Sequence, residues 1–134
     1  MKRIIFLLLL FFSSTQEATA RLGIYNCVTE KITTYENNNK EFIRKNLEKT
    51  FLVKIQKEKK QIILKTFSPS FSNSKKIYNI YRIDNTYGNL FSVETNSSSL
   101  LLDSLVFNEL NSQGTLVIQG DFFVNSWKLK CIKN

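Results

Sequence analysis

The chain is expected to be all-β: an antiparallel meander of about eight strands closing into a small barrel or flattened sandwich, with at most one short helix. Three observations predict this. Apolar residues recur with a period of two over most of the chain after residue 21. Turn-forming clusters of Asn, Ser, Gly and Lys interrupt that alternation at short, regular spacing. The cysteines, Cys27 and Cys131, fall in the first and last such segments, where closure of a meander brings its end strands together.

Residues 22–35 alternate, with Ile24, Val28 and Ile32 expected on one face and Tyr25, Cys27 and Tyr35 on the other. Thr29, Thr33 and Thr34 suit a pleated surface. Asn37, Asn38 and Asn39 break the pattern. Residues 40–49 form the segment best suited to a helix, of one or two turns across the barrel mouth. Asn39 is placed to cap it, Glu41 and Lys45 make an i,i+4 pair, and Phe42, Ile43 and Leu47 form a thin apolar stripe.

Alternation resumes with Phe51, Val53 and Ile55 and returns through Ile62, Leu64 and Thr66. The charged tip from Lys57 to Lys60 makes 50–56 and 61–67 a hairpin. Ser68 to Ser74 holds the single proline, Pro69, and reads as a loop. Strands follow at 76–83 and 89–95, with a turn at 84–88 between them. A turn at 96–99 leads to a strand at 100–107 and a loop at 110–114. The last two strands are 115–123 and 124–132, with Gly120 read as a bulge rather than a boundary.

Before all of this stands a leader. Lys2 and Arg3 precede the apolar run Ile4 to Phe12, and Ala18-Thr19-Ala20 offers a small-x-small cleavage site. Residues 1–20 are therefore expected to be a signal peptide, and 21–134 one β domain of the periplasm or extracellular space. Nine apolar residues are too few for a membrane-spanning helix, which takes about 20. In an oxidising compartment two cysteines imply one disulfide, Cys27–Cys131.

Cleavage removes Lys2, Arg3 and Glu17 and takes the net charge from +8 to +7. Lysine outnumbers arginine 15 to 4, the balance of an AT-rich coding sequence more than of a nucleic-acid binder. The lysines gather at the hairpin tip (Lys54, Lys57, Lys59, Lys60, Lys65) and in the last strand (Lys128, Lys130, Lys133). They read as solvated faces that also blunt sheet edges.

The chain has no histidine, which removes the commonest general base and metal ligand. Oxidised cysteines supply neither a nucleophile nor a thiolate. Among carboxylates, Glu94, Asp103 and Asp121 lie in or beside strands, where a glycosidase pair would have to be, and Asp103 is expected to face water. No catalytic residues, no metal site and no cofactor are assigned. The expectation is a non-enzymatic, exported binding or envelope-associated module whose partner is an envelope or extracellular protein.

Tyr25-Asn26-Cys27 near one end and Trp127-x-x-x-Cys131-x-Lys133 near the other resemble small exported β-proteins of AT-rich bacteria, a group that implies no activity. More distantly, the frame is similar to membrane-bound C-type lysozyme inhibitors, which are small exported barrels with a Tyr-x-Cys near the mature start. Their inhibitory segment is a Ser- and Gly-rich stretch leading to a tyrosine. Its counterpart here runs from Ser70 to Tyr78 and lacks the glycine. The resemblance implies partner binding through Ser70, Ser72, Ser74, Lys75 and Tyr78. The remaining alternative is a lipocalin-like carrier of a small apolar ligand, which requires an interior cavity.

Overall fold

The computed structural model describes residues 23–35, 39–96 and 100–134. The leader read at residues 1–20, Asn37 and Asn38 of the first break, and Ser97 to Ser99 of the 96–99 turn lie outside them. Eight antiparallel strands close into a barrel: β1 (Gly23–Thr34), β2 (Thr50–Gln56), β3 (Gln61–Phe67), β4 (Ser74–Asp84), β5 (Asn89–Glu94), β6 (Leu102–Asn108), β7 (Gln113–Gln119) and β8 (Val124–Lys133). Each strand pairs with the next, and β8 returns to β1. One helix, α1 (Lys40–Leu47), occupies the β1–β2 connection, and a single 3₁₀ turn at Lys57–Lys59 joins β2 to β3.

Alternation carries the apolar residues inward. Phe51, Val53 and Ile55 of β2 face Ile62 and Leu64 of β3 and join Leu105 and Phe107 of β6 in one buried cluster. Burying each such side chain contributes about 1.5–3 kcal/mol. Tyr25 and Phe107 meet inside at 4.7 Å between ring centroids, tilted by 57°.

Cys27 and Cys131 are directly opposed across the β1–β8 seam and joined as a disulfide. Closure also leaves no sheet edge among the described strands, so the lysines of β8 are not edge guards.

Two bulges change which residues face inward. In β1 the register against β8 shifts between Thr29 and Lys31. Tyr25 and Cys27 before the bulge and Ile32 after it are all buried, while Val28 is 54% exposed. The expected grouping of Ile24, Val28 and Ile32 on one face thus fails at Glu30, because one extra residue inverts the alternation. In β4 the register against β5 shifts between Ile80 and Arg82. Tyr78 and Ile80 point in, while Arg82 lies outside, its guanidinium 4.1 Å from the Phe91 ring centroid.

Gly120 is a boundary rather than a bulge. Its N–H donates to the Phe123 carbonyl at 3.0 Å and closes the turn between β7 and β8. At the β4–β5 turn, Gly88 has φ +72°, and a Cβ there would come within 2.6 Å of the Leu110 side chain, so only glycine fits.

The helix forms as its caps direct. The Asn39 side chain accepts from the Phe42 N–H at 3.1 Å, and Lys45 pairs with Glu41 at 2.9 Å. Phe42 and Ile43 pack against the core. Leu47 is exposed, and the inward place on the last turn belongs to Asn46, whose Nδ2 donates to the Phe42 carbonyl.

Candidate functional site

The barrel has two unlike ends. The β2–β3, β4–β5 and β6–β7 turns are tight and share one end. The other end holds the α1 segment, the 68–73 loop and the 120–123 turn. A cavity of about 130 Å³ opens at this second end. Its apolar wall is Phe51, Leu64, Leu116 and Ile118, and Lys49, Phe71, Ser72 and Ser74 form its rim.

Its floor carries charge. Strand alternation turns Lys76 and Tyr78 of β4 inward and does the same for Asp103 of β6. Asp103 is fully buried at 0% exposure, so the expectation that it faces water is overturned. The alternation is regular here: Leu102 points out, and Asp103 must therefore point in. Its Oδ1 accepts the Tyr78 hydroxyl at 2.8 Å, and its Oδ2 accepts the Lys76 ammonium. Burial, reinforced by the Asp103 charge, pushes the Tyr78 phenol far above its ordinary value. Taking a carboxylate out of water costs several kcal/mol, and the two charge-assisted bonds offset it.

At the rim, Lys49 lies between two aromatic faces. Its Nζ is 4.7 Å from the Phe71 ring centroid and 5.0 Å from that of Trp127. Among the described residues it forms no ion pair. Burial, then the nearby Lys76 charge, lowers its pKa. Beneath it Trp127 is only 4% exposed, and its indole Nε1 has no hydrogen-bond partner among the described residues. Trp127 also lines the cavity.

The 68–73 loop that carries Phe71 is internally bonded. Ser68 Oγ accepts from the N–H groups of Ser70 and Phe71 at 3.2 and 3.0 Å, and the Ser68 N–H donates to Asn73 Oδ1. The Ser70 hydroxyl reaches Glu48 Oε2 at 3.5 Å, tying the loop to the end of α1.

The sequence-derived binding residues divide between two environments. Ser72, Ser74 and Tyr78 line the cavity. Ser70 and Lys75 do not. Lys75 lies opposite Lys65 on the outer face of the β3–β4 pair. Ser70, Ser72, Ser74 and Lys75 are exposed, whereas Tyr78 is 0% exposed and reaches a ligand only through the cavity.

Elsewhere, Asp121 is exposed in the last turn and Glu94 is half-buried at the end of β5. Among the basic clusters, Lys57 pairs with Glu109 at 2.7 Å and Lys128 with Glu30 at 3.0 Å. Sequence reasoning missed Lys49, Lys76 and Trp127 as site residues. Strand parity alone signalled Lys76 and Trp127. Lys49, in the connection after α1, had no such signal.

No family model matches the chain, and neither a curated protein nor a solved structure does. Chemically, the cavity lining offers two ammoniums, one of them paired with the buried Asp103, and several hydroxyls beside apolar walls. That set can hold a small molecule.

Proposed function

We propose that this protein is an exported, non-enzymatic binding module that takes a small ligand at the loop-rich end of its barrel. The observation that carries this reading is the half-buried Lys49 ammonium at the cavity rim, which forms no ion pair among the described residues. Partly buried charges are normally paired, and a protein that leaves one unpaired beside a cavity forgoes stability there. The interior argues for a small occupant. Phe51, Leu105, Phe107 and Leu129 fill the barrel, and about 130 Å³ is well below the several hundred of a typical ligand pocket. A bulky apolar cargo of the lipocalin kind does not fit that space.

The chain holds a single tryptophan, so Trp127 fluorescence reports on the cavity directly. The test is a panel of small cations, neutral amides and alcohols, and anions. At least one class should change the emission saturably. No response from any class at millimolar concentration would overturn the reading.

A second reading is inhibition of a C-type lysozyme through residues 70–75. The observation in its favour is the internal bonding of the 68–73 loop, since ordering a flexible loop on binding costs affinity. The buried Tyr78 takes no part in it. Lysis of a peptidoglycan suspension by such a lysozyme should slow with excess protein, and lysis that stays unchanged at micromolar protein ends this reading.

A further inference from the structure

The polar groups around the cavity are mostly donors, and that narrows the ligand. Asp103 is fully buried, does not line the cavity, and already accepts from Tyr78 and Lys76. Lys49 and Trp127 Nε1 can only donate. A cationic ligand would meet Lys49 and Lys76 with no free carboxylate to receive it. A neutral amide would bring N–H groups for which the accessible side chains among the described residues offer only the hydroxyls of Thr66, Ser72 and Ser74. A group that only accepts, and carries one negative charge, matches the Lys49 ammonium. Lys49 is the one cavity ammonium without an ion pair among the described residues, so a doubly charged anion would be left half-compensated in apolar surroundings.

The size and the wall set the rest. A cavity of about 150 Å³ holds a benzene-sized molecule, so about 130 Å³ holds about six heavy atoms. Leu64, Leu116 and Ile118 offer hydrocarbon contact and no polar side-chain atom.

Taking the binding-module reading as its premise, we propose that the cavity binds a small monocarboxylate. Its head accepts hydrogen bonds from the Lys49 ammonium, beside the Trp127 ring. Its hydrocarbon end lies against Leu64, Leu116 and Ile118, and Phe71 covers the entrance. Lys49 then gains a counter-ion, where it has none among the described residues, and the Trp127 ring beside it reports the binding.

The test follows the indole N–H resonance of Trp127 in the disulfide-bonded protein during titration with butyrate, butyramide, butylammonium and inorganic phosphate. Butyrate should shift the resonance saturably, and the other three should leave it in place. Lys49→Met keeps the aliphatic stem between the two rings and should weaken butyrate at least tenfold. Lys75→Met, on the outer face, should leave butyrate affinity unchanged. Equal binding of butyramide and butyrate overturns the proposal, as does phosphate binding tighter than butyrate. Undiminished butyrate affinity in a folded Lys49→Met protein overturns the assigned head-group contact. If butyramide or butylammonium binds and butyrate does not, the ligand class is wrong while the binding module stands. Silence from all four probes, with no response in the wider fluorescence panel, removes both.

Discussion

The Tyr78 hydroxyl donates a 2.8 Å hydrogen bond to Asp103 inside the barrel, joining β4 to β6 across the intervening β5. The bond lies wholly out of water, with both side chains at 0% exposure. Asp103→Ala leaves the phenol without an acceptor and should lower stability by about 1–3 kcal/mol. Adding Tyr78→Phe should cost little more, since both partners are then gone. Urea midpoints of the two single variants and the double variant measure the coupling.

Tyr78 should also stay un-ionised where free tyrosine titrates, near pH 10. Its folded-state pKa lies above the unfolded value because burial and the Asp103 charge both oppose the phenolate. The stabilisation is therefore complete below about pH 10 and lost as pH rises beyond it. In folded protein, Tyr78→Phe should leave the amplitude of the absorbance rise at 295 nm unchanged up to the onset of alkaline unfolding. A smaller amplitude in the variant would show that Tyr78 ionises with the rest.

Lys49 has the opposite sign. Its folded pKa lies below the ordinary 10.5, first through burial and then through Lys76, while Asp103 is engaged by Lys76 and Tyr78. The charged form thus weighs against folding, and stability recovers as pH rises from the lowered value toward 10.5. Lys49→Met should raise the urea midpoint at neutral pH, and the gain should shrink on the alkaline side. A lower midpoint at neutral pH would mean that the contacts with Phe71 and Trp127 outweigh the burial cost.

Ser68→Ala removes the acceptor for two backbone N–H groups in the 68–73 loop. The loss should be about 0.5–1.5 kcal/mol. Amide exchange should quicken at Ser70 and Phe71 while the Ser92 and Leu105 amides in β5 and β6 keep their protection.

Replacing both cysteines by serine removes a cross-link between residues 104 apart in sequence. Stability should fall by about 2–5 kcal/mol. Urea unfolding of the variant and of the oxidised and reduced protein should show the variant matching the reduced form.

Strand parity made most of the barrel legible. Phe51, Val53 and Ile55 alternate cleanly, and so do Trp127, Leu129 and Cys131, so each inner face could be read from sequence. The bulges at Glu30 and Tyr81 could not, because a one-residue slip is fixed by the opposing strand and leaves no local mark. Asp103 shows a different failure. Parity placed it opposite Leu102, yet its charge argued for water. What holds it inside are Lys76 and Tyr78, brought from 27 and 25 residues away. Lys49 and Phe71 lie in connections, where no period exists to follow, and only the folded chain sets Lys49 between Phe71 and Trp127.

The closed β1–β8 seam has a consequence for self-association. A closed barrel presents no free strand on which another chain can template itself. Reaching such a state requires parting β1 from β8, along the ladder that Cys27 and Cys131 clamp. Reduction therefore removes more than stability: it unlocks the seam whose opening would expose two hydrogen-bonding edges at once. An intact Cys27–Cys131 bond keeps both edges paired, so breaking it should favour fibrous growth as well as unfolding.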